Sequence, residues 1–521
     1  MKSKVIDVAE ALDLIKDGDT IAISAAGVVG YPEYIVKSLE DRYLETQHPA
    51  GLTVYSGCGH GNPVAYGTGE RFGHPGFLKR TVCTHPNVTK VLGKFIDSDE
   101  IEGYCFPQGV LNQLYRCMGA KQPGLLTKIG IGTYIDPRQD GGKLNSITTE
   151  DLVELMTIDG EEYLFFKSKP INVTIIRGTT ADEYGNMTIE EEALKFETLE
   201  IALAAKASGG KVIVQAKNAV QGGTLKAKEV VIPGEIVDAV VVCKEPDLYH
   251  MQTAAIIYSP YLSGELKSPP GDIAEPKAEL AAEDIICRRA VYELERDAIV
   301  NVGVGIGAGI GAVADVEGIT NDLTFTLELG TFGGTPQGGP NFGSARNVMS
   351  YVAHPSMFDF YHGGGLDIAV LGAAQIDAVG NVNVSRIAGR AAGQGGFIDI
   401  SQSAKKVVFC TTFTTKGVET AVENGKLIIK SDGSIQKIVD RVDQITFNGT
   451  LSRKKAQEVV ICTERAVFHL TKDGVTLTEI APGVDLEKDV LGKMGFKPII
   501  SGDLKEMDAR IFRPGRMGCF D

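Results

Sequence analysis

The chain has 521 residues, of which 43% are hydrophobic and 23% are charged, and its formal net charge is −15. This composition is ordinary for a folded protein, and the length exceeds what one hydrophobic core usually spans, so we expect at least two domains. The acidic balance argues against nucleic acid or an anionic membrane as a partner, because both would repel the protein.

Nine cysteines are scattered along the chain, and no two of them have the C-x-x-C spacing. We therefore expect reduced thiols in the cytoplasm, without a disulfide framework or a metal site. The N-terminus leads directly into an amphipathic pattern, and the longest apolar run, from Val302 to Ala314, is rich in glycine. These features predict neither secretion nor membrane insertion.

The first half begins with a helix, a strand and a glycine loop. The helix is predicted from Val8 to Ile15, with Asp7 and Glu10 placed as a capping box. The strand and its glycine loop follow at residues 19–30. The same succession of elements recurs later in the chain.

In the second half, a helix with Ile286, Ala290 and Leu294 on one face leads into a strand and glycine loop at residues 297–307. Residues 181–189 and 376–384 form a second matching pair. Each of these segments predicts a strand, a turn on Gly-Asn and a returning strand. The two halves are therefore expected to be related.

The corresponding features lie farther apart in the first half, which indicates an insertion at about residues 90–166. The polar, proline-containing residues 265–275 are typical of a linker. We therefore predict two related open α/β domains, residues 1–264 and 276–521, with mainly parallel sheets and an active site in the cleft between them. The second domain would carry the catalytic carboxylate.

Our candidate for the chemistry is Glu328, which ends an apolar strand between two glycine-rich loops. The loop from Gly303 to Ala308 also satisfies the relaxed dinucleotide fingerprint, with Glu328 where a ribose-binding carboxylate would lie. Spacing alone leaves three interpretations open: an NAD-dependent dehydrogenase, a nucleophilic carboxylate, and glycines that only serve strand packing. The second loop, at residues 331–339, favours the nucleophile, because fixed backbone N–H donors are needed to stabilise an oxyanion.

Other candidate residues carry weaker signals. Gln108 opens a predicted helix in a Pro-Gln-Gly turn, where its amide could donate to a substrate carboxylate or cap its own turn. His362 lies in a predicted glycine loop, although a lone histidine is more often structural. Cys58 and His60 stand in a glycine-rich segment that favours a tight turn over a reactive pair.

Several motifs together resemble those of the family I coenzyme A transferases, particularly the single-chain acetate and propionate type. These motifs are Phe106-Pro-Gln-Gly, residues 136–145 (DPRQDGGKLN), the Gly303 loop, Glu328 with Gly333-Gly334, residues 362–367 (HGGGLD), residues 371–375 (LGAAQ) and residues 461–467 (ICTERAV). The resemblance runs nearly end to end. It implies that the two halves correspond to the two subunits that other members keep separate.

The resemblance also implies roles for single residues. Glu328 is implied as the catalytic nucleophile, the backbone amides of Val304 and Gly396 as oxyanion donors, and Gln108 as the substrate-binding glutamine. The glycines expected to bind CoA are Gly303, Gly305, Gly364, Gly365 and Gly395. Transferases for 3-oxoacids carry Glu-Asn-Gly at the nucleophile, whereas this chain has Glu328-Leu-Gly330, which favours the acetate and propionate branch.

We therefore predict an enzyme, an acyl-CoA:carboxylate CoA-transferase that acts on acetate and propionate, with lactate and butyrate as further candidates. The resemblance implies ping-pong transfer through a glutamyl-CoA thioester, with CoA as substrate and covalent intermediate and without a metal or a tightly bound cofactor. We also expect a homo-oligomer. The alternatives are the NAD-dependent dehydrogenase and a non-catalytic acyl-CoA-binding homologue.

Overall fold

The computed structural model of the protein describes residues 2–268, 277–303 and 305–521. They form two compact units that are discontinuous in sequence. The first unit contains the described residues within Met1–Ser268, Glu328–Asp359 and Arg390–Asp399, and the second contains those within Pro269–Leu327, Phe360–Gly389 and Ile400–Asp521. The domain boundaries at 264 and 276 stay a prediction, and most of the predicted linker, residues 269–275, lies outside the described residues.

A parallel sheet forms the core of the first unit. Its strands are, in spatial order, Ala239–Val242, Lys211–Val220, Val173–Asp182, Thr20–Ile23, Leu52–Ser56, Leu78–Cys83 and Glu102–Cys105. The two outer faces are covered, so the strands read as Val- and Ile-rich runs, and Ile21, Ile175 and Ile213 are fully buried. A separate antiparallel sheet within the predicted insertion contains Gly124–Thr127, Glu161–Lys167 and Val153–Ile158.

The sheet of the second unit repeats this arrangement. Its parallel strands are, in the corresponding spatial order, Glu458–Cys462, Lys406–Cys410, Ile368–Gly372, Ile299–Val302 and Thr324–Leu327. Val370, Val408 and Val460 are register partners on neighbouring strands, and all three are fully buried. Three further strands follow Glu458–Cys462 at its free edge: Ala466–Thr471, Gly474–Ile480 and Ile499–Glu506.

The helices and the remaining short strands complete the described chain. The α-helices are Val8–Leu12, Glu33–Thr46, Lys90–Asp97, Gln108–Gly119, Thr198–Ala207, Pro246–Tyr249, Ala282–Ala290, Ile310–Glu317, His354–Phe360, Phe397–Ser403 and Gly449–Lys454. The short strands are Met187–Thr188, Thr331–Phe332, Thr335–Pro336, Ala345–Arg346, Ser350–Tyr351, Gln375–Ile376, Val382–Asn383, Arg386–Ile387, Arg390–Ala391, Thr414–Thr415, Glu419–Glu423, Lys426–Ser431 and Ile435–Gln436. Within the described residues, no helix combines the length and apolar character needed to cross a bilayer.

Both predicted Gly-Asn hairpins are confirmed, and they are built alike. In the first unit the Asp182 carboxylate accepts hydrogen bonds from the backbone and side-chain nitrogens of Asn186, at 3.0 and 2.9 Å. In the second unit Asp377 accepts the same pair from Asn381, at 2.9 and 3.0 Å. The shared strand order and the shared turn confirm the prediction of two related α/β folds with parallel sheets.

The first helix is predicted correctly at its start and wrongly at its end and its cap. The helix begins at Val8 as expected but ends at Leu12, and Asp7 makes no side-chain capping hydrogen bond. Its carboxylate instead contacts the Lys244 ammonium group at 3.0 Å. The Asp7 side chain, which the local sequence pattern assigned to a helix cap, therefore forms a long-range ion pair.

Candidate functional site

Glu328 directly follows the buried strand Thr324–Leu327 and is half-buried. The next residue, Leu329, is only 1% exposed and packs in an apolar cluster of the first unit. Gly330 has a φ of +111°, and a Cβ there would lie 2.3 Å from the carbonyl oxygen of Val352. Only glycine fits that conformation and spacing, so the Gly330 turn fixes where the chain places the Glu328 carboxylate.

The charge of the Glu328 carboxylate acts on the thiol of Cys58. Cys58 follows the strand Leu52–Ser56 of the first unit. Desolvation raises the pKa of the Cys58 thiol well above its usual range, and the negative charges of Glu328 and then Glu197 raise it further. A thiol held in its protonated form is a poor nucleophile, so this site favours carboxylate chemistry over cysteine chemistry.

Gln108 is the first residue of the helix Gln108–Gly119, and its side chain is 2% exposed. Its side-chain amide contacts a residue outside its own turn. Its amide nitrogen Nε2 lies 2.8 Å from Nε2 of His354, and Nδ1 of His354 lies 2.8 Å from Oε2 of Glu197. Both His354 and Glu197 are fully buried.

The backbone around Glu197 holds this hydrogen-bonded row in place. The preceding residue, Phe196, has a φ of +52°, which is uncommon and costly for a bulky side chain. Its carbonyl oxygen accepts a hydrogen bond from the backbone N–H of His354 at 3.0 Å. Glu197 and His354 were missed by the sequence analysis, because they are 157 residues apart and belong to no spacing motif.

Gly395 and Gly396 lie in a loop that the first unit holds against Gln108. The carbonyl oxygen of Gly395 accepts a hydrogen bond from the Gln108 backbone N–H at 3.1 Å, and its own N–H donates to Thr84 at 2.8 Å. Cys105 donates from Sγ to the Gln394 side chain at 3.1 Å and anchors the same loop. The structure therefore brings Gln108 and Gly395 together.

The other predicted CoA-binding glycines lie in the second unit. Gly303 donates its N–H to the Val370 carbonyl oxygen at 2.9 Å, so this amide is already engaged. Gly305 and Gly364 are exposed, have φ values of +97° and +88°, and would have open space around an added Cβ. Gly365 packs on the Phe360 ring. Val304 lies outside the described residues.

Three further observations concern two weaker candidate residues and metal binding. His362 lies in the same glycine segment of the second unit as Gly364, and it is half-buried. His60 is buried, and its burial lowers the pKa of the imidazole to about 3. In the described part of the chain, no group of three or more His, Cys, Asp or Glu side chains is arranged to hold a metal ion.

Comparison with known proteins identifies the class of enzyme. The family model described as coenzyme A transferase matches residues 5–243. The chain is 44% identical over 515 residues to caffeate CoA-transferase of Acetobacterium woodii, covering 98% of this chain and 97% of that protein. It is 40% identical over 515 residues to acetate CoA-transferase YdiF of Escherichia coli K12, covering 99% and 96%.

A solved structure agrees with these sequence matches. The crystal structure of acyl-CoA transferase YdiF from E. coli O157:H7, in a thioester complex with CoA, superposes with a TM-score of 0.92 at 39% identity. The match covers 99% of this chain and 97% of that one. The chain belongs to the coenzyme A transferase family and is a CoA-transferase, which confirms the predicted family and enzyme class over the dehydrogenase alternative.

Proposed function

We propose that this enzyme transfers CoA between short-chain carboxylic acids by a ping-pong mechanism, with CoA stored on Glu328. Acetate and propionate are the proposed substrates, with lactate and butyrate as further acceptors, which places the enzyme in short-chain fatty acid metabolism. The observation that carries the proposal is the Glu328 carboxylate, held by the obligatory Gly330 turn at the carboxyl end of a buried strand. The related YdiF forms a thioester with CoA, which supports the same chemistry here.

The reaction can be written with all atoms balanced. A carboxylate oxygen of Glu328 attacks the acyl-CoA carbonyl carbon, the C–S bond breaks, and the products are an acyl-glutamyl anhydride and CoA thiolate. The thiolate then attacks the glutamyl carbonyl carbon, which releases the free carboxylate and leaves a glutamyl-CoA thioester. A second acid reverses both steps and leaves as the new acyl-CoA.

Each attack creates an oxyanion that needs fixed hydrogen-bond donors. The backbone N–H groups of Gly396 and Val304 are the proposed donors. In the described part of the chain, the N–H of Gly396 makes no backbone hydrogen bond, which supports its availability. Loss of one such donor costs on the order of 10² to 10³ in rate.

Binding of the two substrates is divided between different groups. The Gln108 amide is proposed to hold the free carboxylate. Gly303, Gly305, Gly364, Gly365 and Gly395 are proposed to line the path of CoA. The exposed backbone and open surroundings of Gly305 and Gly364 support close approach of a long substrate.

Steady-state kinetics with a panel of acids tests this proposal. Acetyl-CoA is varied against propionate, lactate, butyrate and caffeate, the last because one relative is a caffeate CoA-transferase. A ping-pong reaction gives parallel double-reciprocal lines, and propionate should show the highest kcat/KM among the acceptors. Intersecting lines would contradict the covalent mechanism, and a preference for caffeate would reassign the substrate class.

We further propose that the enzyme is a cytoplasmic homo-oligomer. All nine cysteines are free, which is consistent with a reducing compartment. Light scattering of the purified chain measures the number of copies directly, and a monomer would contradict the proposal.

A further inference from the structure

A row of three buried side chains ends at the proposed acid-binding amide. Glu197, His354 and Gln108 are linked by two contacts of 2.8 Å, and none of the three is more than 2% exposed. A buried polar row stabilises the fold little in comparison with apolar side chains of the same volume, because each group must be desolvated. Stability alone therefore does not explain why these three polar side chains are buried together.

The partners of His354 are used to assign its tautomer. The Glu197 carboxylate faces Nδ1 of His354 and acts as its acceptor, so Nδ1 carries the ring hydrogen. The other ring nitrogen, Nε2, then accepts a hydrogen bond from the Gln108 amide nitrogen. The Gln108 amide nitrogen keeps a second hydrogen that His354 does not use. In the other tautomer, the hydrogen on Nε2 of His354 would instead donate to the Gln108 side-chain oxygen, and the amide would be rotated by half a turn.

Two hydrogen bonds hold the backbone of Gln108, so the tautomer of His354 acts on the orientation of the side-chain amide. The Gln108 backbone N–H donates to Gly395, and its carbonyl oxygen accepts from the Asn112 side chain at 2.7 Å. The Gln108 side-chain oxygen lies on the side of Gly395, 3.4 Å from where a Cβ would stand. With the amide nitrogen on His354, the second N–H of that nitrogen is the donor that remains for a substrate carboxylate.

We propose that Glu197 and His354 are positioning residues that select the tautomer of His354 and thereby orient the Gln108 amide for the incoming carboxylic acid. This inference rests on the proposed function of Gln108 as the acid-binding group. It assigns no contact with substrate to Glu197 or His354. It predicts that both act on acid binding only through Gln108.

A double-mutant cycle tests whether the effect passes through Gln108. The paired variant Glu197→Leu/His354→Phe replaces both residues by apolar groups, so that neither a lone Glu197 nor a lone His354 is left buried without the other. We expect the KM for propionate to rise by at least about 10-fold in the wild-type background. In a chain that also carries Gln108→Ala, the same pair should change this KM by less than about twofold. An equal rise in both backgrounds would overturn the inference.

The acyl-CoA half-reaction separates this inference from the proposed function. The paired variant should still form the CoA adduct on Glu328, with a KM for acyl-CoA within about twofold of wild type. If the wild-type enzyme forms no adduct, the proposed function fails and the inference falls with it. If the adduct forms but the cycle is additive, only the inference fails.

A conservative variant keeps the test decisive if the paired variant does not fold. Glu197→Gln retains an oxygen acceptor for His354 and should rescue the acid KM to within about threefold of wild type. Glu197→Leu alone should not show this rescue. If Glu197→Gln folds, with an unchanged thermal midpoint, but raises the acid KM as much as Glu197→Leu does, the tautomer argument is wrong.

Discussion

The reach of the Glu328 carboxylate decides whether it can act as a nucleophile. Glu328→Asp keeps the charge but withdraws the oxygens by one methylene group. We expect CoA transfer from acetyl-CoA to propionate to fall by at least about 100-fold, because the attacking atom must lie within near-attack distance of the carbonyl carbon. The measurement is kcat/KM beside the thermal midpoint. Near-normal activity in the folded variant would remove Glu328 from the nucleophile role.

The pKa of the Cys58 thiol depends on the charge of Glu328. The negative charge of Glu328 helps to raise the pKa of Cys58, so Glu328→Gln should lower that pKa and increase the thiolate fraction at a given pH. We expect faster iodoacetamide labelling of Cys58 in Glu328→Gln than in wild type at pH 8. Peptide mass spectrometry measures the labelling rate.

Glu328→Asp is the matched control for the thiol experiment, because it retains the negative charge. Its labelling rate at Cys58 should stay close to wild type. Equal rates in all three chains would show that the carboxylate exerts no influence on this thiol.

At the scale of elements, the turn after the strand Thr324–Leu327 is tightly constrained. Gly330→Ala would place a methyl group 2.3 Å from the Val352 carbonyl oxygen at a φ of +111°. We expect a loss of stability of at least about 1 to 3 kcal/mol, together with reduced transfer. Thermal or urea unfolding and kcat measure the two effects.

Gly338 offers a matched control within the same segment. Its φ is −107°, and a Cβ there would meet nothing within 4 Å. Gly338→Ala should leave both stability and transfer near wild type. Equal losses at Gly338 and Gly330 would indicate that the whole loop, not the turn, is sensitive.

The duplicated hairpins give a second prediction at this scale. Asn381 is 8% exposed, and its side-chain oxygen accepts the backbone N–H of Gly449 at 3.0 Å. Asn381→Ala leaves the Gly449 N–H without its acceptor and removes the side-chain donor to Asp377, so we expect a loss of about 1 to 3 kcal/mol in the free energy of unfolding. The exposed Asn87 is the control, and Asn87→Ala should change little. A neutral Asn381→Ala would show that the turn does not depend on this side chain.

Elements with a local cause could be predicted from the sequence, and contacts made by the fold could not. The Gly-Asn turns and the buried strand before Glu328 were predictable, because they depend on neighbouring residues. The absence of the Asp7 capping box was not predictable from local sequence, because the Asp7 carboxylate contacts Lys244, a residue far away in the chain, and makes no cap hydrogen bond. The Glu197–His354 contact had no sequence signal, since it depends on a tertiary fold and on the unusual φ of Phe196.

At the scale of the whole molecule, the duplication explains why one chain contains two similar sheets. Thr20–Ile23 in the first unit and Ile299–Val302 in the second occupy equivalent central positions. The segment that begins at Glu328 nevertheless packs in the first unit. A sequence-based division at residue 276 assigns Glu328 to the second half, whereas the compact units interleave along the chain and Glu328 belongs to the first unit.

The covalent intermediate is the central claim, and intact mass spectrometry of the whole chain tests it most directly. Incubation with acetyl-CoA without acceptor should add the mass of one CoA less one water per active chain, on the peptide that contains Glu328. Addition of propionate should remove it, borohydride should inactivate only the loaded enzyme, and Glu328→Gln should never acquire it. An adduct on another peptide, or no adduct during active turnover, would contradict the account.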